Sequence, residues 1–349
     1  MAQGARAKKK SEPAWAAMPE DQLLATPLAK LGVKLKGTWA ADCLDQLNAE
    51  LREKRILVRA HGWISDEWFS PIDSPGIAFP FYLAHPRLMR LERKMMLEAE
   101  GGSERECMRI LRHEAGHIVQ YAFGLHRKKR WQSLFGRASK KYPDHYRPDP
   151  TSKGYVQYLR RWYAQCHPDE DFAETFAVWL TPRSNWRKRY ADWPALKKLE
   201  YVDEIMEEIA GRKPPPQKRT EVGALRQLGG TLGEHYAEKR KRYAVETPTV
   251  FDRDLTRIFS NEDRHKRAGA AVSVIRRNRN EIIRSVSRWT GEYPFAIDAA
   301  LDDMMLRCRM LKLRSPISDA KVRLDLTAML SSKAVYTHYS SSRRQLFAV

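Results

Sequence analysis

The sequence predicts an α+β fold, and three observations lead there. Stretches rich in β-branched and aromatic residues crowd into positions 55–83. Helical periodicity dominates the remainder. Two of the helices carry His and Glu side chains one turn apart. The expected architecture is a small mixed sheet with an edge strand over those two helices, followed by a helical C-terminal region. At 349 residues the chain can bury a full core and is long enough for two domains.

Residues 1–18 begin with a basic, alanine-rich run and are expected to be disordered. No apolar segment follows the basic run, so no secretory signal is read. Positions 38–52 read as an amphipathic helix, with Trp39, Cys43, Leu44, Leu47 and Leu51 on one side. A first strand is expected at 55–64 and a second at Trp68-Phe69, broken by the turn over 71–76. The third, 76–83, contains Pro80, which cannot donate to a ladder, so this strand should lie at an edge or carry a bulge. Helix is expected over 88–100.

Residues 113–117 read His113-Glu114-Ala115-Gly116-His117 and carry the most chemical information in the chain. Four apart on a helix, His113 and His117 can hold one metal ion, zinc by default. Glu114, on nearly the same face, can act as a general base. Ser103 and Glu106 form a capping box ahead of this helix, and Gly124 sits where a left-handed residue would end it. Cys107, Leu111, Ala115, Ile118, Val119 and Ala122 form its buried stripe. Gly116 costs such a helix about 1 kcal/mol, a cost that a close approach of another backbone would explain.

Positions 125–154 are loop-like, with a short helix around 131–135. Pro168 suits a first helical position, and 168–180 reads as a helix ended at Thr181-Pro182. Glu170 and Glu174 share one of its faces, packed among Phe172, Phe176, Val178 and Trp179. A catalytic zinc needs a third protein ligand. The metzincin continuation fails, because Gln120 and Phe123 stand where it needs Gly and His. His126, His145 and His167 remain available, but Glu170 is the better candidate, with Glu174 one turn on to fix a histidine tautomer.

Further helices are expected at 196–209, 224–243, 267–289 and 295–313, with Pro214-Pro215-Pro216 as the best boundary. The organisation read from these signals is a disordered basic N-terminus at 1–18, a catalytic domain at 19–211, a Pro-rich linker at 212–220 and a basic helical region at 221–349.

The chain resembles the gluzincins, zinc peptidases that add a downstream glutamate to H-E-x-x-H. The stretch 163–176, with Tyr163 seven residues before Glu170, is similar to the corresponding part of the anthrax-lethal-factor group. More closely, residues 20–245 resemble the bacterial family called putative zinc-binding metallopeptidase. The matching stretches are 65–70 (SDEWFS), 81–88 (FYLAHPRL), 111–117 and 163–180. The resemblance implies a zincin-like domain. Within it, His113, His117 and Glu170 are metal ligands, Glu114 is the catalytic base, and Glu174 and Tyr163 are supporting groups. It implies hydrolysis of a peptide or protein substrate by Glu114-assisted attack of a zinc-bound water, with Tyr163 donating to the developing oxyanion. An edge strand beside such a helix suits an extended peptide held by β-augmentation.

Charge supports a second reading. The net charge of +20 is spread over both parts, with 37 Lys and Arg against 28 Asp and Glu in residues 1–215 and 26 against 15 in residues 216–349. A basic protein associated with nucleic acid, holding a structural or degenerate metal site, is the rival; a variant is a peptidase acting on protein bound to nucleic acid. Arg276, Arg277 and Arg279 are the cluster that could meet phosphates. No apolar run reaches about 18 residues, so no membrane span is expected. The scattered Cys43, Cys107, Cys166 and Cys308 suit reduced thiols in a cytoplasmic protein and exclude a cysteine zinc ribbon.

Overall fold

Local signals set most element ends. Thr38 Oγ1 accepts from Ala41 N at 3.2 Å and Ser103 Oγ from Glu106 N at 3.3 Å, so helices start at Trp39 and Glu104. Gly124, with φ +60°, stops the second of these after Ala122. A computed structural model describes residues 12–72, 74–143, 146, 148–149, 151–243 and 251–340. The disorder expected of residues 1–11 and the candidate ligand His145 lie outside them.

The regular elements, in order, are α1 (Glu20–Leu24), α2 (Trp39–Glu53), β1 (His61–Ser65), β2 (Gly76–Pro80), α3 (Pro86–Met96) and α4 (Glu104–Ala122). Then come α5 (Lys129–Phe135), α6 (Pro168–Leu180), α7 (Trp186–Arg189), α8 (Leu196–Ile209) and α9 (Leu232–Tyr243). The last four are α10 (Asp252–Ile258), α11 (Ala271–Thr290), α12 (Pro294–Met310) and α13 (Asp319–Ser340). The expected α+β mixture is therefore mainly helical.

The sheet is smaller than expected. β1 and β2 pair in parallel, with Gly62 opposite Ile77 and Ile64 opposite Phe79. Among the described residues, the sheet's antiparallel contribution is one bridge from Phe69, whose O accepts from Ala78 N at 2.9 Å. β2, expected at an edge, thus has bonding neighbours on both sides. The strand foreseen at 55–64 starts late because Asn48 occupies Ala60: its side chain accepts from Ala60 N at 2.9 Å and donates to Ala60 O at 3.0 Å. Pro80 ends β2 rather than interrupting it, and Phe81–Ala84 turns as a 3-10 helix.

Among the described residues two large apolar cores follow, with a small third cluster of Trp63, Ala78 and Ala224. The first is built on α2, α4, α6 and α8, around Leu47, Leu111, Val119, Phe172, Phe176 and Val202. The second joins α10 to α13 through Leu255, Ile275, Ile282, Leu301, Met304 and Leu326. The expected change of domain at 212–220 does not coincide with the change of core. Residues 220–223 run beside β1, where Trp63 Nε1 donates to Val222 O at 2.9 Å and Ser65 Oγ to Gly223 O at 2.6 Å. Leu225, Leu232 and Tyr236 then join the first core. α9 is fastened there by a buried Lys239–Glu92 ion pair of 2.9 Å. The first core therefore extends past the prolines through α9, and Phe295 of α12 packs against it as well. The helix expected over 224–243 is shortened by Gly229-Gly230, with φ +76° at Gly230.

At the other end, the disorder expected through residue 18 is corrected for 12–18. Ala14–Ala17 forms a 3-10 turn in which Trp15 is buried and donates from Nε1 to Leu31 O at 2.8 Å. Of the three arginines considered for phosphates, Arg277 pairs with Asp319 at 2.9 Å and Arg279 with Asp302 at 2.6 Å and with Asp298. No helix among the described residues is long and apolar enough to cross a membrane. All four cysteines are buried and free.

Candidate metal centre

The site forms where α4 meets α6. A Cβ on Gly116 would lie 2.7 Å from Ala173 Cα and 3.1 Å from Ala173 O, so glycine is what lets the two backbones touch. This is the close approach that a glycine inside a helix led us to expect. Gly116→Ala should therefore destabilise the fold by about 1–3 kcal/mol through overpacking, although alanine is the better helix former by about 1 kcal/mol. Thermal unfolding checks the sign: an unchanged or higher Tm would mean that α4 and α6 are not pressed together here.

α6 starts at Pro168 because His167 caps it, its Nδ1 accepting from Asp169 N at 3.2 Å. Every residue of α6 is buried, including four carboxylates, so each needs a partner. Asp169 accepts from Gln120 Nε2 at 2.7 Å and Tyr121 Oη at 2.6 Å; Asp171 takes Lys198 Nζ at 2.6 Å. Glu174 accepts from the backbone N–H groups of Tyr158 at 3.2 Å and Leu159 at 2.9 Å. Glu170 faces α4.

Three ligand atoms converge there. His113 Nε2 lies 3.2 Å from His117 Nε2, Glu170 Oε2 lies 3.1 Å from the first, and 3.3 Å from the second. Ligands about 2.0–2.1 Å from a tetrahedral zinc would be roughly 3.3 Å apart. The triangle therefore has the size that one such ion requires, and its residues are a group that could hold a metal. Glu170 Oε2 has no hydrogen-bond partner, nor has either oxygen of Glu114, which is 0 % exposed. Behind the triangle, His113 Nδ1 lies 3.2 Å from Glu174 Oε1.

The charged groups of the triangle shift one another's titration. Burial alone would lower the His113 imidazole, but Glu170 and Glu174 beside it raise it to about 10. Burial would raise Glu170, yet His117 and His113 hold it well below the usual carboxylate range. Both shifts arise from the same close approach of the histidines to Glu170. Glu114 moves the other way: burial raises it, with His113, His117 and Ser70 acting against the shift.

Tyr163 is buried, with its ring 5.8 Å from His113. Burial, followed by the charge of Glu170, pushes its hydroxyl well above the usual tyrosine value. His167 is committed to capping and to Lys140 O, 2.6 Å from its Nε2. His126 packs its ring 5.0 Å from Tyr121. Neither is in the ligand group. Tyr142, from the loop after α5, was not foreseen at all; its hydroxyl donates to Glu170 Oε1 at 2.7 Å. The aromatic residues of that loop were the only signal that could have drawn attention to it.

Residues 90–189 match the model of a family described as putative zinc-binding metallo-peptidase, and the chain fits that family over this span. The match holds α4 and α6 whole and is narrower than the 20–245 resemblance, leaving out 65–70 and 81–88. No curated protein and no solved structure matches the chain.

Proposed function

We propose that the protein is a zinc-dependent peptidase whose metal is held by His113, His117 and Glu170 and whose substrate is a peptide or protein. The observation that carries this reading is the triangle of 3.1 to 3.3 Å between the three ligand atoms, with Glu114 buried beside it. Zinc bound there supplies a Lewis acid, which polarises a scissile carbonyl and lowers the pKa of a water.

The chain's own groups do the remaining work. Glu114 takes the proton from the attacking water on a carboxylate oxygen and passes it to the leaving amine nitrogen. Its upward shift suits a group that must hold that proton for a time. Glu174 Oε1, 3.2 Å from His113 Nδ1, favours the ring proton on that nitrogen, which would leave the Nε2 lone pair for the metal. Tyr163, beside His113, serves as the donor to the oxyanion.

Metal analysis combined with a peptide-library cleavage assay tests the reading. The purified protein should hold about one zinc per chain, lose cleavage on chelation and regain it when zinc is returned. A protein that takes up no zinc from solution, or that cleaves equally well without it, would sink the proposal.

A further inference from the structure

Two contacts meet at Tyr142, and a third lies beside them. Its ring stacks on the His167 imidazole, with centroids 3.8 Å apart and planes 13° from parallel. Its hydroxyl donates to Glu170 Oε1 at 2.7 Å. Two residues earlier in the chain, Lys140 O lies 2.6 Å from His167 Nε2. Since His167 Nδ1 already accepts from Asp169 N at 3.2 Å, the proton of that ring sits on Nε2 and is donated to Lys140 O.

Helical spacing makes this arrangement specific. His167 caps α6 and Glu170 follows three residues later, so the two side chains are neighbours on one turn. Tyr142 spans from one to the other. Its hydroxyl is therefore placed relative to the same helical turn that carries the proposed metal ligand. The two oxygens of Glu170 are already divided: Oε1 takes Tyr142, while Oε2 lies 3.1 Å from His113 Nε2 and 3.3 Å from His117 Nε2 without a hydrogen-bond partner.

We propose that Tyr142 is a positioning residue that keeps Glu170 a one-oxygen ligand: by occupying Oε1, its hydroxyl leaves only Oε2 for the metal. The proposal rests on the metal site described above and deepens it. A carboxylate can hold a metal through one oxygen or through both. A catalytic zinc uses three protein ligands and keeps one position for water or substrate. A second oxygen from Glu170 would compete for that position. The hydroxyl bond that prevents it is charge-assisted, roughly twice as strong as a neutral one. The residue is 43 % exposed, and its ring is held by the stack. Phenylalanine can keep the stack and lose only the hydroxyl.

Cobalt(II) gives a readout apart from turnover, because its visible bands weaken when a four-coordinate centre gains a ligand. Wild type and Tyr142→Phe are dialysed against cobalt, their metal content and spectra recorded, and kcat and KM measured on the zinc forms. Both proteins should take up cobalt equally, the variant unfolding at a slightly lower temperature for the lost hydrogen bond. The variant's bands should lose intensity, and its kcat should fall about 10- to 100-fold at little-changed KM. Equal cobalt uptake with an unchanged spectrum would overturn the proposal. A variant that takes up no cobalt would overturn it too, since the hydroxyl would then serve binding itself. Wild-type protein that takes up no cobalt would instead remove the metal site on which the proposal rests.

Discussion

Glu114→Gln should keep its zinc and hydrolyse peptides about 100- to 10,000-fold more slowly than wild type. The expectation follows from where Glu114 stands. It is fully buried on α4 next to both histidines, yet it is not one of the three atoms of the ligand triangle. Glutamine has the same shape and cannot take a proton. Its amide N–H groups would be placed where neither carboxylate oxygen has a hydrogen-bond partner. Leaving them unsatisfied costs about 1–3 kcal/mol, so the variant should unfold at a somewhat lower temperature while its metal content stays at the wild-type level. Metal analysis and initial rates on one preparation separate the roles. Equal rates for the two proteins would refute Glu114 as the base, and loss of zinc would make it a ligand.

The two glutamates of α6 should part company in the same kind of experiment. Glu170→Ala removes a corner of the triangle and should strip the protein of zinc under mild chelation. Glu174→Ala leaves all three ligand atoms in place and removes the partner of His113 Nδ1. Zinc affinity or activity should then fall about 10- to 100-fold. Glu174 also accepts from the N–H groups of Tyr158 and Leu159, so its loss should loosen that segment and expose it to proteases. Metal content after dialysis against a weak chelator decides the assignment. Zinc retained by Glu170→Ala but lost by Glu174→Ala would exchange the two roles.

Much of this site is legible in the sequence because its chemistry is tied to helical spacing. His113 and His117 are brought together by a single turn, and α6 has the bounds foreseen for it because Pro168 opens it and Thr181-Pro182 follows it. Gly116 could be read too, since a glycine within a helix asks for a backbone neighbour, and Ala173 is that neighbour. Contacts that depend on distant, aperiodic chain are another matter. Tyr142 reaches Glu170 from 28 residues away, out of a loop with no repeat to fix its direction. The late start of β1 depends on Asn48 satisfying Ala60 across 12 residues, and no propensity announces that. The extent of the first core is not written in the prolines, which mark a change of backbone stiffness, whereas α9 beyond them is tied back by the pairing of Lys239 with Glu92.

The return of α9 has a consequence for how the molecule comes into being. During synthesis both site helices leave the ribosome well before residues 225–243, which complete the wall of the first core behind Phe81, where the Tyr236 ring lies 6.5 Å away. Until that last helix arrives, the nascent chain carries every atom of the ligand triangle on an open-sided scaffold. A cut at Pro214-Pro215-Pro216 would leave that wall held to the core by non-covalent contacts alone, the buried Lys239–Glu92 pair among them.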